Sequence, residues 1–155
     1  MGKQLSNSVR TRVVLAAMAE ARRRGDRRLG TEHLLLGLLH ERDSAAIQAL
    51  GVDLDAARTG LDALDRAALV AIGIDVGDLP FTGHIASGKR PPLTSAARAV
   101  LLHAIKPTPR SKARHPTAEH LLLALLAGHQ PDPAADLLAQ LDIDLDAVRN
   151  RLDQP

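Results

Sequence analysis

The sequence contains an internal duplication, and no other feature constrains the possible folds as strongly. Residues 31–39 (TEHLLLGLL) match residues 118–126 (AEHLLLALL), 87 positions later. Downstream, residues 50–58 (LGVDLDAAR) match residues 141–149 (LDIDLDAVR), now 91 positions later. The change in spacing places a length difference in the loop after the leucine-rich segment. The chain is therefore expected to contain two copies of one structural unit.

Each copy has the pattern of four helices, with apolar residues at helical spacing and a capping residue at each start. In the first copy the predicted helices are 8–24, 31–41, 44–50 and 53–72, with Thr31 as the N-cap of the second. In the second copy the predicted starts are Thr94, Thr117, Asp132 and Asp144. The first helix of that copy is expected to end near Lys106, because the prolines at 107 and 109 cannot continue it.

The leucine-rich helices are apolar on nearly every side, so we expect both of them to be central and buried. Burial of each leucine side chain contributes roughly 2 kcal/mol. The predicted fold is all-α, with two pseudo-twofold-related four-helix repeats packed as one domain. Repeat one spans residues 5–72 and repeat two spans 93–152, and a linker rich in glycine and proline occupies 73–92.

The composition argues against several kinds of function. Phe81 is the single aromatic residue, which argues against stacking of single-stranded nucleic acid and against aromatic cages. The absence of cysteine excludes disulfides, Cys-ligated zinc and thiol nucleophiles. The net charge is only +2, and the densest basic cluster, Arg22 to Arg28, is interpreted as a solvated helix end. With no signal peptide or membrane-spanning run, the chain is expected to be cytoplasmic.

No motif in the sequence indicates an enzyme, a metal site or a cofactor. There is no GxxxxGK[ST] phosphate loop and no Gly-x-Ser-x-Gly elbow. His33 and His120 lack a convincing set of further ligands, so we interpret them as capping or packing residues rather than metal ligands.

Residues 30–41 (GTEHLLLGLLHE) closely resemble the signature of the Clp N-terminal repeat family, and residues 50–58 and 83–85 fit further segments of it. That family includes the N domains of ClpA- and ClpC-type unfoldases, which have two such repeats in eight helices. The resemblance covers roughly residues 5–152. It implies a docking platform for clients and adaptors, here standing alone without the ATPase modules.

The resemblance also implies a set of ligand-binding residues. In ClpC-type members, the glutamate of each TEH motif and a threonine near the start of each repeat bind phosphorylated arginine. A carboxylate accepts paired hydrogen bonds from a guanidinium group. The corresponding residues are Glu32, Asn7, Thr31, Glu119 and Thr94. Asn7 replaces a threonine and Ala118 stands opposite Thr31, so the two sites are not expected to be equivalent.

Two functions follow from the resemblance, and the residues leave both open. One is a non-enzymatic module that recognises degradation clients or adaptors, with phosphoarginine as the mark, and that modulates a Clp protease. The alternative is a decoy that sequesters cyclic-peptide antibiotics or competes with the N domain of the full unfoldase. A third interpretation gives Glu32 and Glu119 no binding role, because a glutamate in a first helical turn interacts favourably with the helix dipole alone.

Overall fold

The computed structural model describes residues 8–77, 90–105 and 117–153. These residues form eight α-helices, which confirms the all-α prediction. Repeat one contains the following helices: α1 (Val9–Arg24), α2 (Thr31–Leu38), α3 (Ala45–Leu50) and α4 (Leu54–Ala71). Repeat two contains their counterparts: α5 (Ser95–Ile105), α6 (Ala118–Leu126), α7 (Pro133–Gln140) and α8 (Leu145–Asp153).

Most of the predicted helix starts are confirmed by side chains that accept a hydrogen bond from a free N–H of the first turn. The confirmed N-caps are Ser8, Ser44, Asp53, Thr117 and Asp132. The prediction for α2 is wrong at both ends. Gly30 is the N-cap and Thr31 is the first helical residue, while the helix ends at Leu38 rather than at residue 41.

The two leucine-rich helices lie at the centre of the core, as predicted. The five leucines of residues 34–39 are at most 2% exposed, and Leu123 alone among those of α6 is half-buried. Helix α2 crosses α1 at very short distance at Gly37. A Cβ atom there would lie 2.4 Å from the carbonyl oxygen of Val13, so only glycine allows this approach.

The two repeats interlock instead of lying side by side. Helix α3 of repeat one contacts α6 and α8, and helix α7 of repeat two contacts α2 and α4. The hydroxyl of Thr31 donates to Asp132 Oδ1 at 3.0 Å and accepts from the N–H of Ala134 at 3.1 Å. Thr31 is only 2% exposed, so this pair of hydrogen bonds is a buried connection between the repeats.

A buried carboxylate on α1, which the sequence did not indicate, connects that helix to α4. Glu20 is 2% exposed and accepts from Arg58 Nε at 3.1 Å. His40 Nε2 lies 3.0 Å from the same carboxylate. Burial raises the pKa of Glu20, but the hydrogen bonds from Arg58 and His40 outweigh that effect and lower it. Glu20 is therefore charged at neutral pH, and the guanidinium group of Arg58 compensates its charge.

Several residues that the sequence singled out lie outside the described ranges. They are Asn7, Phe81, the segment 83–85, and the prolines at 107, 109 and 116.

Candidate functional site

A polar pocket of about 420 Å³ opens where the start of repeat two meets the α1–α2 loop. The loop and the segment before α5 are joined by a short stretch of extended backbone. The N–H of Leu29 donates to the carbonyl oxygen of Pro92 at 2.9 Å, and the N–H of Thr94 donates to the carbonyl oxygen of Leu29 at 3.0 Å. Thr94 therefore lines the same pocket as Glu32. The pocket combines one predicted residue from each repeat.

The carboxylate of Glu32 folds back over Gly30. A Cβ atom on Gly30 would lie 2.0 Å from Glu32 Oε1, which is closer than any stable contact. The glycine at the N-cap of α2 therefore makes room for the carboxylate, whose side chain is 15% exposed. This placement differs from that of a glutamate that projects into solvent from a first helical turn.

His33 lies beneath this carboxylate and is 3% exposed. Its Nε2 is 2.7 Å from Asp26 Oδ2, and its Nδ1 is 2.9 Å from both Glu32 Oε1 and the backbone nitrogen of Gly30. Burial lowers the pKa of His33, but the two flanking carboxylates outweigh burial and raise the pKa to about 9. The contact with the backbone N–H of Gly30 confirms that His33 caps α2. The sequence did not predict the contacts of His33 with the carboxylates of Asp26 and Glu32.

The floor of the pocket is a compensated charge cluster around Arg24. The Arg24 side chain is 4% exposed and pairs with Asp26, Asp62 and Asp65. The interpretation of the whole 22–28 cluster as a solvated helix end is therefore wrong for Arg24. Burial raises the pKa of Asp65, and the nearby Asp26 and Asp62 add to the increase against the effect of Arg24.

The rim of the pocket carries positive charge. Arg27 and Arg28 line it and are exposed, and neither has an ion-pair partner within the part of the chain that the structure describes. Thr94 is half-buried, and its Oγ1 accepts from the N–H of Ala97 at 3.1 Å in the first turn of α5. The pocket thus presents the carboxylate of Glu32 and, at its rim, two guanidinium groups that have no ion-pair partner among the described residues.

Comparison with known proteins identifies the fold and the family. Residues 5–84 match the model of the Clp repeat (R) N-terminal domain, which is about half of the chain. The chain belongs to the Clp N-terminal repeat family. Over 144 residues it is 29% identical to a ClpA homolog, an ATP-binding subunit of the ATP-dependent Clp protease, from Cyanidium caldarium. It is 33% identical over 147 residues to a probable ATP-binding subunit of that protease from Chlamydia pneumoniae.

These matches cover 91% and 90% of the chain respectively but only 15% of either relative. The crystal structure of the N-terminal domain of the Clp protease-associated chaperone ClpD from Arabidopsis thaliana superposes with a TM-score of 0.68 at 21% identity. The superposition covers 96% of this chain and 94% of the ClpD domain. This similarity confirms the expected eight-helix Clp N-domain fold.

The matching position in the second repeat of this Clp domain is built differently. Thr117 takes the place of Gly30 as N-cap of α6, and its hydroxyl accepts from the N–H of His120 at 3.3 Å. His120 Nδ1 accepts from the N–H of Thr117 at 3.1 Å, which confirms its capping role. Glu119 is exposed and has no ion-pair partner among the described residues. A side chain at the N-cap excludes the folded-back carboxylate seen in repeat one.

Thr31, the remaining predicted site residue, lies away from the polar pocket. Its hydroxyl donates to Asp132 and accepts from the N–H of Ala134, both at the start of α7. The residue lines a separate shallow groove beside α5 and α6. Within residues 8–77, 90–105 and 117–153, no group of three His, Cys, Asp or Glu side chains could hold a metal ion. None of the helices in these ranges is long and apolar enough to span a bilayer.

Proposed function

We propose that this Clp domain is a non-enzymatic protein-binding module that recognises degradation clients or adaptors marked by phosphorylated arginine, and so modulates a Clp protease. The observation that carries the proposal is the juxtaposition of Glu32 with Arg27 and Arg28 around one pocket. A phosphoarginine side chain has a cationic guanidinium group next to an anionic phosphate. The pocket offers charges of the opposite sign to each part.

The chemistry of the pocket supports this assignment. A carboxylate accepts paired, charge-assisted hydrogen bonds from a guanidinium group, which is the role proposed for Glu32. The exposed guanidinium groups of Arg27 and Arg28 are available for phosphate oxygens, since they have no ion-pair partner in the described ranges. Thr94, from the other repeat, adds a hydroxyl at the same pocket.

We propose a single working site, in the first repeat. Thr31 is left out of the ligand set because its hydroxyl is buried and already bonded to α7. Glu119 is exposed in the first turn of α6, behind the N-cap Thr117, and has no folded-back carboxylate. Asn7, the predicted ligand-binding residue near the start of repeat one, lies outside the described residues.

Calorimetry with free phosphoarginine tests the proposal, with arginine as the unphosphorylated control. We expect binding of phosphoarginine, a loss of at least about tenfold in affinity in Glu32→Gln, and no change in the matched variant Glu119→Gln. A tenfold loss corresponds to about 1.4 kcal/mol. The proposal is wrong if phosphoarginine fails to bind, or if the two variants lose affinity equally.

The decoy role is the alternative form of the same proposal. A degradation assay with a Clp protease and a phosphoarginine-marked client separates the two roles. Faster degradation on adding this chain supports an adaptor, whereas slower degradation that Glu32→Gln relieves supports a decoy. Binding of a cyclic peptide with no response to phosphoarginine would support antibiotic sequestration instead.

A further inference from the structure

One ring nitrogen in the pocket has two neighbours that make incompatible demands on it. The backbone N–H of Gly30 points at Nδ1 of His33 from 2.9 Å and requires a lone pair there. Glu32 Oε1, also at 2.9 Å, can form a hydrogen bond only if Nδ1 carries a proton. A single nitrogen satisfies one of these neighbours at a time.

The other ring nitrogen fixes what changes between the two states. Nε2 of His33 lies 2.7 Å from the carboxylate of Asp26, which only accepts, so Nε2 carries a proton in both states. When Nδ1 is also protonated, the imidazolium pairs with Glu32 and leaves the Gly30 N–H unbonded. When Nδ1 is bare, Gly30 is capped and the Glu32 carboxylate loses its cation.

The surrounding charges favour the cationic state while the pocket is empty. Asp26 from the α1–α2 loop and Glu32 from α2 contact His33, and Arg24 from α1 pairs with Asp26. The other charged groups that line the same pocket are Arg27 and Arg28 from the loop and Asp65 from α4. Arg24 is already shared among three aspartates, and the rim arginines are exposed. The pKa of His33, raised to about 9, agrees with this balance.

We infer that His33 is a positioning residue whose Nδ1 proton holds the Glu32 carboxylate until the guanidinium of the ligand replaces it, so that binding releases this proton to solvent. The inference rests on the guanidinium site proposed above. The N–H of Gly30 then takes the vacated lone pair of Nδ1. The exchange keeps one cation beside Glu32 and leaves no backbone donor unbonded.

Proton release makes the affinity depend on pH in a defined direction. Because the ligand binds the form of the domain in which Nδ1 is bare, its affinity rises with pH below the pKa of unliganded His33. The slope approaches about tenfold per pH unit if the release is complete. A His33 that acts only as a helix cap predicts no such slope.

Calorimetry at pH 7.5 with free phosphoarginine, in phosphate-free buffers of different ionisation enthalpy, measures the protons released. His33→Gln is the control, because glutamine at this position still reaches back to the N-cap N–H but does not titrate. We expect wild type to release about 0.5 to 1 proton more than His33→Gln. Subtraction of the two values removes any proton exchanged by the phosphate itself.

Equal release in the two proteins would overturn the inference while leaving the guanidinium site intact, whereas absence of binding in wild type would overturn both. A second measurement does not depend on the variant folding. In an NMR titration of the wild-type domain, the pKa of His33 should fall by at least about 1.5 units when phosphoarginine is added, since a smaller fall would release less than about half a proton at pH 7.5. An unchanged or higher pKa contradicts the exchange.

Discussion

Glu32 Oε1 occupies the position next to Gly30 where a side chain would otherwise begin, since a Cβ atom on Gly30 would lie 2.0 Å from it. Because Gly30 has no side chain, the carboxylate of Glu32, in the first turn of α2, can fold back over the N-cap. The second repeat shows the converse arrangement, with Thr117 at the N-cap and Glu119 exposed.

Gly30→Thr should therefore convert the first site into a copy of the second. The backbone of Gly30 has φ −101°, which a threonine adopts without strain, and its hydroxyl can cap α2 as Thr117 caps α6. We expect phosphoarginine affinity to fall at least about tenfold, or about 1.4 kcal/mol, with the free energy of unfolding unchanged or slightly higher. Calorimetry and urea unfolding check the two parts, and unchanged affinity would contradict the role of Gly30.

Thr31→Val should weaken the fold without weakening ligand binding. The substitution removes the donor to Asp132 and the acceptor for the N–H of Ala134, and it leaves the buried N–H of Ala134 without a partner. A loss of about 1–3 kcal/mol in the free energy of unfolding is expected. The matched variant Thr94→Val should instead reduce phosphoarginine affinity. The assignment is reversed if Thr31→Val, rather than Thr94→Val, reduces the affinity of the folded domain.

The buried carboxylate of Glu20 should contribute more to stability than a surface ion pair. Glu20→Gln removes the charge that compensates Arg58 between α1 and α4, and we expect a loss of about 2 kcal/mol. Glu41→Gln is the matched control, because Glu41 pairs with Arg12, whose side chain is 43% exposed. Exposed pairs contribute about 0–1 kcal/mol. Equal losses in urea unfolding would show that the buried group has no special role.

The unfolding free energy should decrease as the solution becomes alkaline. The pKa of His33 is raised from 6.5 to about 9 in the folded domain, so its contribution is complete below pH 6.5 and is lost as pH rises through 9. Complete loss corresponds to on the order of 3 kcal/mol. Urea unfolding at pH 6 and at pH 9 measures it. His33→Gln should lack most of this decrease, and an identical decrease in the variant would exclude His33 as its origin.

The helices were predictable because their signals are local. Ser8, Ser44 and Asp53 precede apolar residues at helical spacing, and the structure places each of them at an N-cap. The N-cap of α2 was mispredicted because threonine is a good capping residue, and only the tertiary contact of Thr31 with α7 shows why it lies one position further on. The repeat boundaries themselves remain a prediction.

The charges of the site were less predictable, because their partners are distant in sequence. Arg24 is adjacent to solvated arginines, and nothing local distinguishes it until α4 brings Asp62 and Asp65 to it. The meeting of Glu32 and Thr94 likewise depends on the backbone contact between Leu29 and Leu93. The repeated TEH motif singled out Glu32 and Glu119 alike, and periodicity could not show that Thr94 would line the same pocket as Glu32.

The most direct test of the central claim is a map of where phosphoarginine binds. Backbone amide shifts of the ¹⁵N-labelled domain, recorded during a phosphoarginine titration, report this without any substitution. We expect the largest changes at residues 26–33 and 92–95, which surround the pocket shared by the two repeats. Changes centred on residues 117–120, or no saturable change at all, would contradict a binding site at Glu32.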